Sequence, residues 1–355
     1  MEALPLPPLQ TDPSSWLGPE MAAQPESWQW SWTPAEIAEL EQAAAPLVKR
    51  EVEVGQISQE DFPLRQLGPK LARLRQELIQ GKGFALLKGF PIQEYNEREI
   101  ITIFFGIGTH LGSARSQNAQ GHVLGHVRNL GLDSTDPKVR IYQTSERQTF
   151  HTDSADVVGL LCLQPAKEGG KSLLVSANTV FNEMRRRRPD LLSLLLQSIA
   201  TDRRGEVPAG MLPYLLIPVF SYFANRLTPF YQRQYIESAQ RFPEAPRLSP
   251  QHFEALDLFD EICNDPSFHL TMMLEKGDIQ FVYNHAMLHD RTGFIDWEEI
   301  EKRRHLLRLW LSIPGDRQLP PVFSTRYGSI EVGNRGGIIV PGTQLRVPWI
   351  HELMK

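Results

Sequence analysis

Cysteine is scarce: Cys162 and Cys263 are the only two in 355 residues, and they stand far apart. Their number excludes a disulfide framework and any four-cysteine zinc or iron–sulfur site, and it fits a reducing, cytoplasmic setting. A basic excess is lacking too, since 37 Lys and Arg against 42 Asp and Glu leave a net charge of −5. Nucleic-acid binding by phosphate neutralisation is therefore not expected. Nor is there a long hydrophobic run: the most apolar stretch, Met211–Ala224, is interrupted by Pro213 and Pro218. Met1–Pro5 has neither a basic start nor an apolar core, so neither export nor membrane insertion is expected. No repeat recurs at a period of 20–50 residues. With 41% apolar and 22% charged residues, the composition excludes disorder, collagen and coiled coil as descriptions of the whole chain. The expected partner is a small molecule, and a homo-oligomer is compatible with all of this. At about 150 residues per domain the length suits two domains, or one large β-barrel.

Residues 1–32 hold six prolines and Trp16, Trp28, Trp30 and Trp32, four of the seven tryptophans. Such an arm is irregular, yet its aromatics predict that its later part packs on the body. Residues 33–355 then read as a single catalytic domain. Thr33-Pro34-Ala35-Glu36 is a capping box, with Ile37, Leu40 and Ala44 following at helical spacing. A second helix is predicted over Pro69–Gln80, with Leu71, Leu74, Leu78 and Ile79 on one stripe. A third begins after Asn96 and is expected to stop near Gly106 or Gly108. Strands are predicted over Phe84–Lys88, Val139–Gln143, Val157–Leu163, Ser172–Ser176, Ile279–Tyr283 and Leu306–Ile313. Helices over Val180–Gln197 and Gln251–Cys263 interrupt them, and Arg185–Arg188 should lie on the solvated end of the first. The fold class is mainly β with added helices, a sandwich or jelly roll.

Three segments carry chemistry. In Phe150-His151-Thr152-Asp153, an extended backbone projects His151 and Asp153 to one face, where both can chelate one ion. His289 follows 138 and 136 residues after them, beyond the apolar strand Ile279–Tyr283. Two histidines and a carboxylate leave three positions of an octahedral ion open, the arrangement of non-haem Fe(II) oxygenases. His285 and His289 also have the spacing of a zinc-protease helix, but Ala286 stands where that mechanism needs Glu, so His285 reads as a packing residue or as one that supports the ligands from behind. In Arg303-Arg304-His305-Leu306-Leu307-Arg308, a strand would set Arg304, Leu306 and Arg308 on one face. Two inward guanidinium groups require anions, which small carboxylate ligands would supply.

The ordered set of Phe150–Asp153, Lys167-Glu168-Gly169-Gly170-Lys171-Ser172, His289 and Arg304 with Arg308 resembles the taurine/2,4-dichlorophenoxyacetate dioxygenase family of the clavaminate synthase-like superfamily. The resemblance spans about residues 70–315. It implies a double-stranded β-helix, Fe(II) and O2, and 2-oxoglutarate as co-substrate. It makes His151, Asp153 and His289 the iron ligands, Arg304 the anchor for the distal carboxylate of 2-oxoglutarate, and Ser172 its hydroxyl partner. Arg308 corresponds to a position beside substrate, which implies a small carboxylate-bearing substrate such as an amino acid. Ser172 replaces the Thr of taurine dioxygenase, and the longer gap from His289 leaves Arg303 and Arg304 as rival inward residues. Two other readings use the same residues, a binding barrel without catalysis and a zinc hydrolase on a cupin-like fold. The intact ligand set argues against the first.

Overall fold

The structure, a computed structural model, describes residues 6–132, 139–207, 210–338 and 342–353. Met1–Pro5, read above for export signals, lies outside them. Thr33 caps a helix over Pro34–Lys49: the Thr33 hydroxyl accepts from the Glu36 N–H, and the Glu36 carboxylate accepts from the Thr33 N–H at 2.8 Å. The second helix, Leu67–Gln80, buries Leu67, Leu71, Leu74 and Leu78. The third, Glu97–Leu111, runs through both glycines that were expected to end it. A Cβ on Gly106 would lie 2.6 Å from the Phe62 ring, and one on Gly108 would lie 2.9 Å from Leu309. These glycines admit neighbours to the helix rather than stop it.

Seven strands form a larger sheet, in the order Gln29–Ser31, Phe84–Lys88, Ile279–Tyr283, Val157–Gln164, His305–Ser312 and Ser113–Ala114, with Leu124–Val127 also paired to His305–Ser312. All pairings are antiparallel except that of Gln29–Ser31 with Phe84–Lys88. A four-stranded sheet has the order His269–Met272, Ser172–Ser176, Met287–Arg291 and Gln148–His151. The three N-terminal helices pack with the larger sheet in the main apolar core. Ala177–Arg187, Pro189–Leu195 and Pro250–Asn264 cover the smaller sheet with a second core that includes Phe181, Leu192, Phe220 and Phe259. This is the double-stranded β-helix, with a helical layer outside each sheet.

Three expectations are corrected. The Val180–Gln197 helix is two helices, broken at Arg188 (φ −146°, ψ 74°), because Pro189 has no N–H and drives its predecessor out of the helical region. The Arg185–Arg187 side of the break is a helix C-terminus, where Glu183 and Glu261 meet the cations. Val139–Gln143 is not a strand, and Ile141–Gln143 is a 3₁₀ turn. Arg140 is held there by Glu206 at 2.6 Å and the Tyr235 hydroxyl at 2.7 Å, long-range contacts that override the local alternation. The arm is more regular than its prolines suggest, with a helix over Gly18–Ala22 and the Gln29–Ser31 strand. Trp16 and Trp28 are buried, their rings 5.2 and 5.4 Å from that of Phe84, and Trp32 lies edge-on to Phe90. Among the described residues no helix is long and apolar enough to cross a membrane.

Candidate metal centre and its two cavities

Gln148–His151 pairs with Met287–Arg291 in a register that sets His151 opposite His289, with ring centroids 4.1 Å apart. His289 thus sits on its own strand, beyond a turn, and not at the end of Ile279–Tyr283. Asp153 follows the end of the His151 strand. Ligand atoms of all three lie within 4.8 Å of one another, with His151 Nε2 3.9 Å and His289 Nε2 3.8 Å from the Asp153 carboxylate. His151 Nδ1 is 2.8 Å from the Thr149 carbonyl, which can only accept, so Nδ1 carries the proton and Nε2 is the acceptor, here facing the Gln148 amide nitrogen at 2.8 Å. Burial, then the neighbouring His151, pushes the pKa of His289 down to about 3. Burial likewise lowers His151. For Asp153 burial acts upward, but Arg308, His289, His151 and the Trp310 indole together hold the carboxyl below its usual range. The centre offers two neutral imidazoles and one carboxylate, a donor set matched to a divalent iron.

The residues behind this triad are fastened. The Asp153 N–H donates to Asn284 Oδ1 at 2.9 Å, and Asn284 Nδ2 donates to the Ala155 carbonyl at 2.9 Å. Trp310 Nε1 donates to Asp153 Oδ2 at 2.8 Å. Deeper still, Asp156, His285 and Asp316 bring ligand-type atoms together, but a buried guanidinium already neutralises them. Arg335 donates to Asp156 Oδ1 and Asp316 Oδ2, each at 2.7 Å, while His285 Nε2 lies 2.8 Å from Asp156 Oδ1. His285 is therefore part of a polar knot below the centre, as its sequence context suggested.

Two cavities meet at the triad. A narrow one of about 50 Å³ is lined by Val158, Leu160, Ser172, His289, Arg304 and Leu306 among others. Arg304 faces it and is buried, whereas Arg303 is only partly buried and turns to the Trp297 and Glu298 carbonyls. Of the two, Arg304 is the one that lines this cavity. Its Nη1 is buried without a partner, and burial pulls its pKa down to about 10. Gly170, at φ +68°, lets the chain pass so close that a Cβ there would lie 3.1 Å from Arg304 Nε. Ser172 Oγ donates to Gln280 Oε1 at 3.1 Å on the same wall.

A wider cavity of about 250 Å³ opens on the other side, lined by Gln117, Tyr142, Gln232, Tyr235, Trp310 and Arg326 among others. Arg308 borders both cavities. Its Nε donates to Gln117 Oε1 at 2.7 Å, its Nη1 is 3.6 Å from Asp153 Oδ2, and its guanidinium lies over the rings of Tyr142 and Trp310.

Sequence reasoning missed Trp310, Asn284, Arg291 and Gln117. Strand alternation from Arg308 could have found Trp310, and adjacency to His285 could have suggested Asn284. Arg291, in the narrow cavity, has its pKa pushed down to about 9 by burial and by Arg304. Its place on a short polar strand, like that of Gln117 on a loop, carries no local signal.

Comparison with known proteins agrees with this architecture. The FR-33289 synthase of Streptomyces rubellomurinus is 33% identical over 312 residues, covering 84% of this chain and 90% of that protein. A taurine hydroxylase-like protein of Stachybotrys chartarum is 30% identical over 311 residues, with 84% and 78% covered. The fold matches an asparagine oxygenase solved with Fe(II), 3-hydroxyasparagine and succinate, at a TM-score of 0.61 and 15% identity over 80% of this chain and 93% of that one. Residues 45–310 match the model of the family described as taurine catabolism dioxygenase TauD, TfdA. The chain belongs to that family and is an Fe(II)- and 2-oxoglutarate-dependent dioxygenase.

Proposed function

We propose that His151, Asp153 and His289 hold the iron, that Arg304 with Ser172 anchors the distal carboxylate of 2-oxoglutarate, and that Arg308 faces a small carboxylate-bearing substrate in the wider cavity. An amino acid or a related metabolite is the substrate class, and the likeness in fold to an asparagine oxygenase supports it. Bound there, Fe(II) with 2-oxoglutarate and O2 supplies the oxidising power for hydroxylation, desaturation or cyclisation at a C–H bond. The chain itself binds, orients and excludes water. Val127, Val158, Leu160, Leu274 and Leu306 give the narrow cavity apolar surface between its polar lining residues.

The observation that carries this reading is Arg304, a buried guanidinium with an unpartnered Nη1 in a cavity whose other wall is the triad. An unpaired buried charge costs several kcal/mol, and a planar carboxylate offsets that cost with two parallel hydrogen bonds. Trp16 and Trp28 against Phe84, and Gln29–Ser31 within the larger sheet, support an N-terminal arm, residues 1–32, whose later part packs on a single catalytic domain over 33–355. Buried, unpaired Cys162 and Cys263 support a reducing, cytoplasmic setting. The net charge of −5 supports a small molecule, rather than a nucleic acid, as partner. The test is O2 consumption and succinate release with Fe(II), 2-oxoglutarate and a panel of amino acids and small carboxylates. Stimulation of both by a member of the panel is expected, and absence of any 2-oxoglutarate turnover refutes the reading.

A further inference from the structure

The wider cavity carries more positive charge than the proposed chemistry uses. Arg140, Arg308 and Arg326 all line it. Arg140 is matched by Glu206 at 2.6 Å. Arg308 reaches Asp153 and Gln117, both close to the metal centre. Asp202 also borders the cavity, but Arg241, the Ser238 hydroxyl and the Arg204 N–H already engage it.

Arg326 is left over. Its Nε donates to Ser154 Oγ at 2.7 Å, and among the described residues its two terminal nitrogens have no hydrogen-bond partner and no carboxylate within 4 Å. The ionisable groups around it are Glu206, already engaged by Arg140, Arg140 itself, Arg203, Tyr235 and Tyr327. Neither Arg326, Ser154 nor Arg140 borders the narrow cavity, so a co-substrate held by Arg304 does not reach them. One more polar group points the same way: the Gln232 Oε1 is buried at the cavity without a donor.

We propose that Arg326 is a specificity-determining residue, the anchor for an acidic group at the end of the substrate remote from 2-oxoglutarate, with Ser154 orienting it and Gln232 accepting a substrate N–H or O–H. The group is a carboxylate or a tetrahedral oxyanion such as a phosphate or phosphonate. This deepens the proposed function, on which it rests for the position of the reacting end. Counting charges, Arg140 cancels with Glu206 and Asp202 with Arg241, and with Asp153 given to the metal the cavity keeps two positive charges, those of Arg308 and Arg326. A substrate with acid groups at both ends balances that excess, and a singly charged amino acid does not.

The test is ligand titration followed by thermal melting, on full-length protein saturated with 2-oxoglutarate and Mn(II) so that the narrow cavity is filled. The probes are acetate, inorganic phosphate, methylphosphonate and glutarate. Saturable stabilisation of wild-type protein by at least one is expected, and the set that acts separates carboxylate from tetrahedral oxyanion. In Arg326→Gln the half-saturating concentration should rise about tenfold or more, the loss of one charge-assisted pair, and in Arg326→Lys by less. The affinity for 2-oxoglutarate should be unchanged in both. No saturable response of wild-type protein overturns the proposal, as does an unchanged half-saturating concentration in Arg326→Gln combined with a large rise in Arg308→Gln. Failure of wild-type protein to bind 2-oxoglutarate at all refutes the proposed function instead, and the probe titration is then read on protein without it.

Discussion

Replacing Arg304 by Met should make the protein without ligands more stable and nearly unable to bind 2-oxoglutarate. Both effects trace to one guanidinium. It is buried, one terminal nitrogen lacks a partner, and burial has already pulled its pKa down to about 10. Methionine replaces the aliphatic stem and removes a charge that the folded protein keeps without an ion partner, so stability should rise by about 1–3 kcal/mol. Two charge-assisted hydrogen bonds to a carboxylate contribute about 1.5–3 kcal/mol each, so their loss weakens 2-oxoglutarate binding by roughly two to four orders of magnitude. Arg304→Lys keeps the charge and loses the fork, and should fall between the two. Calorimetric titration of 2-oxoglutarate into Mn(II)-loaded protein, beside melting curves of the unloaded protein, measures both signs. A variant that melts several degrees lower while binding 2-oxoglutarate normally would show that Arg304 is a structural cation.

His151→Ala, Asp153→Ala and His289→Ala should each abolish turnover and metal binding with circular dichroism unchanged; near-normal succinate release by any of them would break the triad assignment. Trp310→Phe deletes the indole donor to Asp153 Oδ2 and should weaken Fe(II) or Mn(II) affinity about 10- to 100-fold with little change in melting temperature. His305 is buried, stacked on His126 and held neutral, with burial, then His126, pushing its pKa down to about 3. The unfolded chain gains a proton here below about pH 6.5 that the folded one refuses until about pH 3, so stability falls as pH drops through that window. The slope is at most about 1.4 kcal/mol per pH unit from this residue. His305→Gln should flatten the dependence of melting temperature on pH between 6 and 4, and an unaltered slope would exclude His305 as its source.

The strands that sequence alone located end to end, Phe84–Lys88, Ser172–Ser176 and Ile279–Tyr283, have almost every residue buried. Each has three or four apolar residues in five and a Gly or Asn within two positions of both ends, which suffices to identify it. Gln148–His151, His269–Met272 and Met287–Arg291 were not legible as strands. The first and last of these carry His, Asp and Arg at inward positions, so the pattern fails where the chemistry sits, while His269–Met272 buries only Leu270 and Met272 and is too short to show a period. The metal triad was nonetheless readable, because His151 and Asp153 are two apart on one extended segment. Arg326 and Arg140 were not, since each reaches the cavity from outside the barrel strands and only tertiary structure brings them together.

Arg335 gives the molecule an unexpected dependence on its C-terminal segment. The family match closes at residue 310, before Asp316 and Arg335. Yet Arg335 ties Asp156, three residues past Asp153, to Asp316, and its backbone N–H donates to Ser312 Oγ, which in turn donates to Asp156 Oδ2. The chain stretches bearing the first and last metal ligands, 151–156 and 284–289, meet where His285 touches Asp156, and Arg335, which belongs to neither the metal site nor the barrel, holds that Asp156 in place from the other side. A protein shortened after residue 313 would retain every ligand and both sheets while losing Asp316 and the Arg335 guanidinium from the knot around Asp156 and His285. For anyone trimming or grafting this enzyme, the smallest functional unit therefore extends through Arg335.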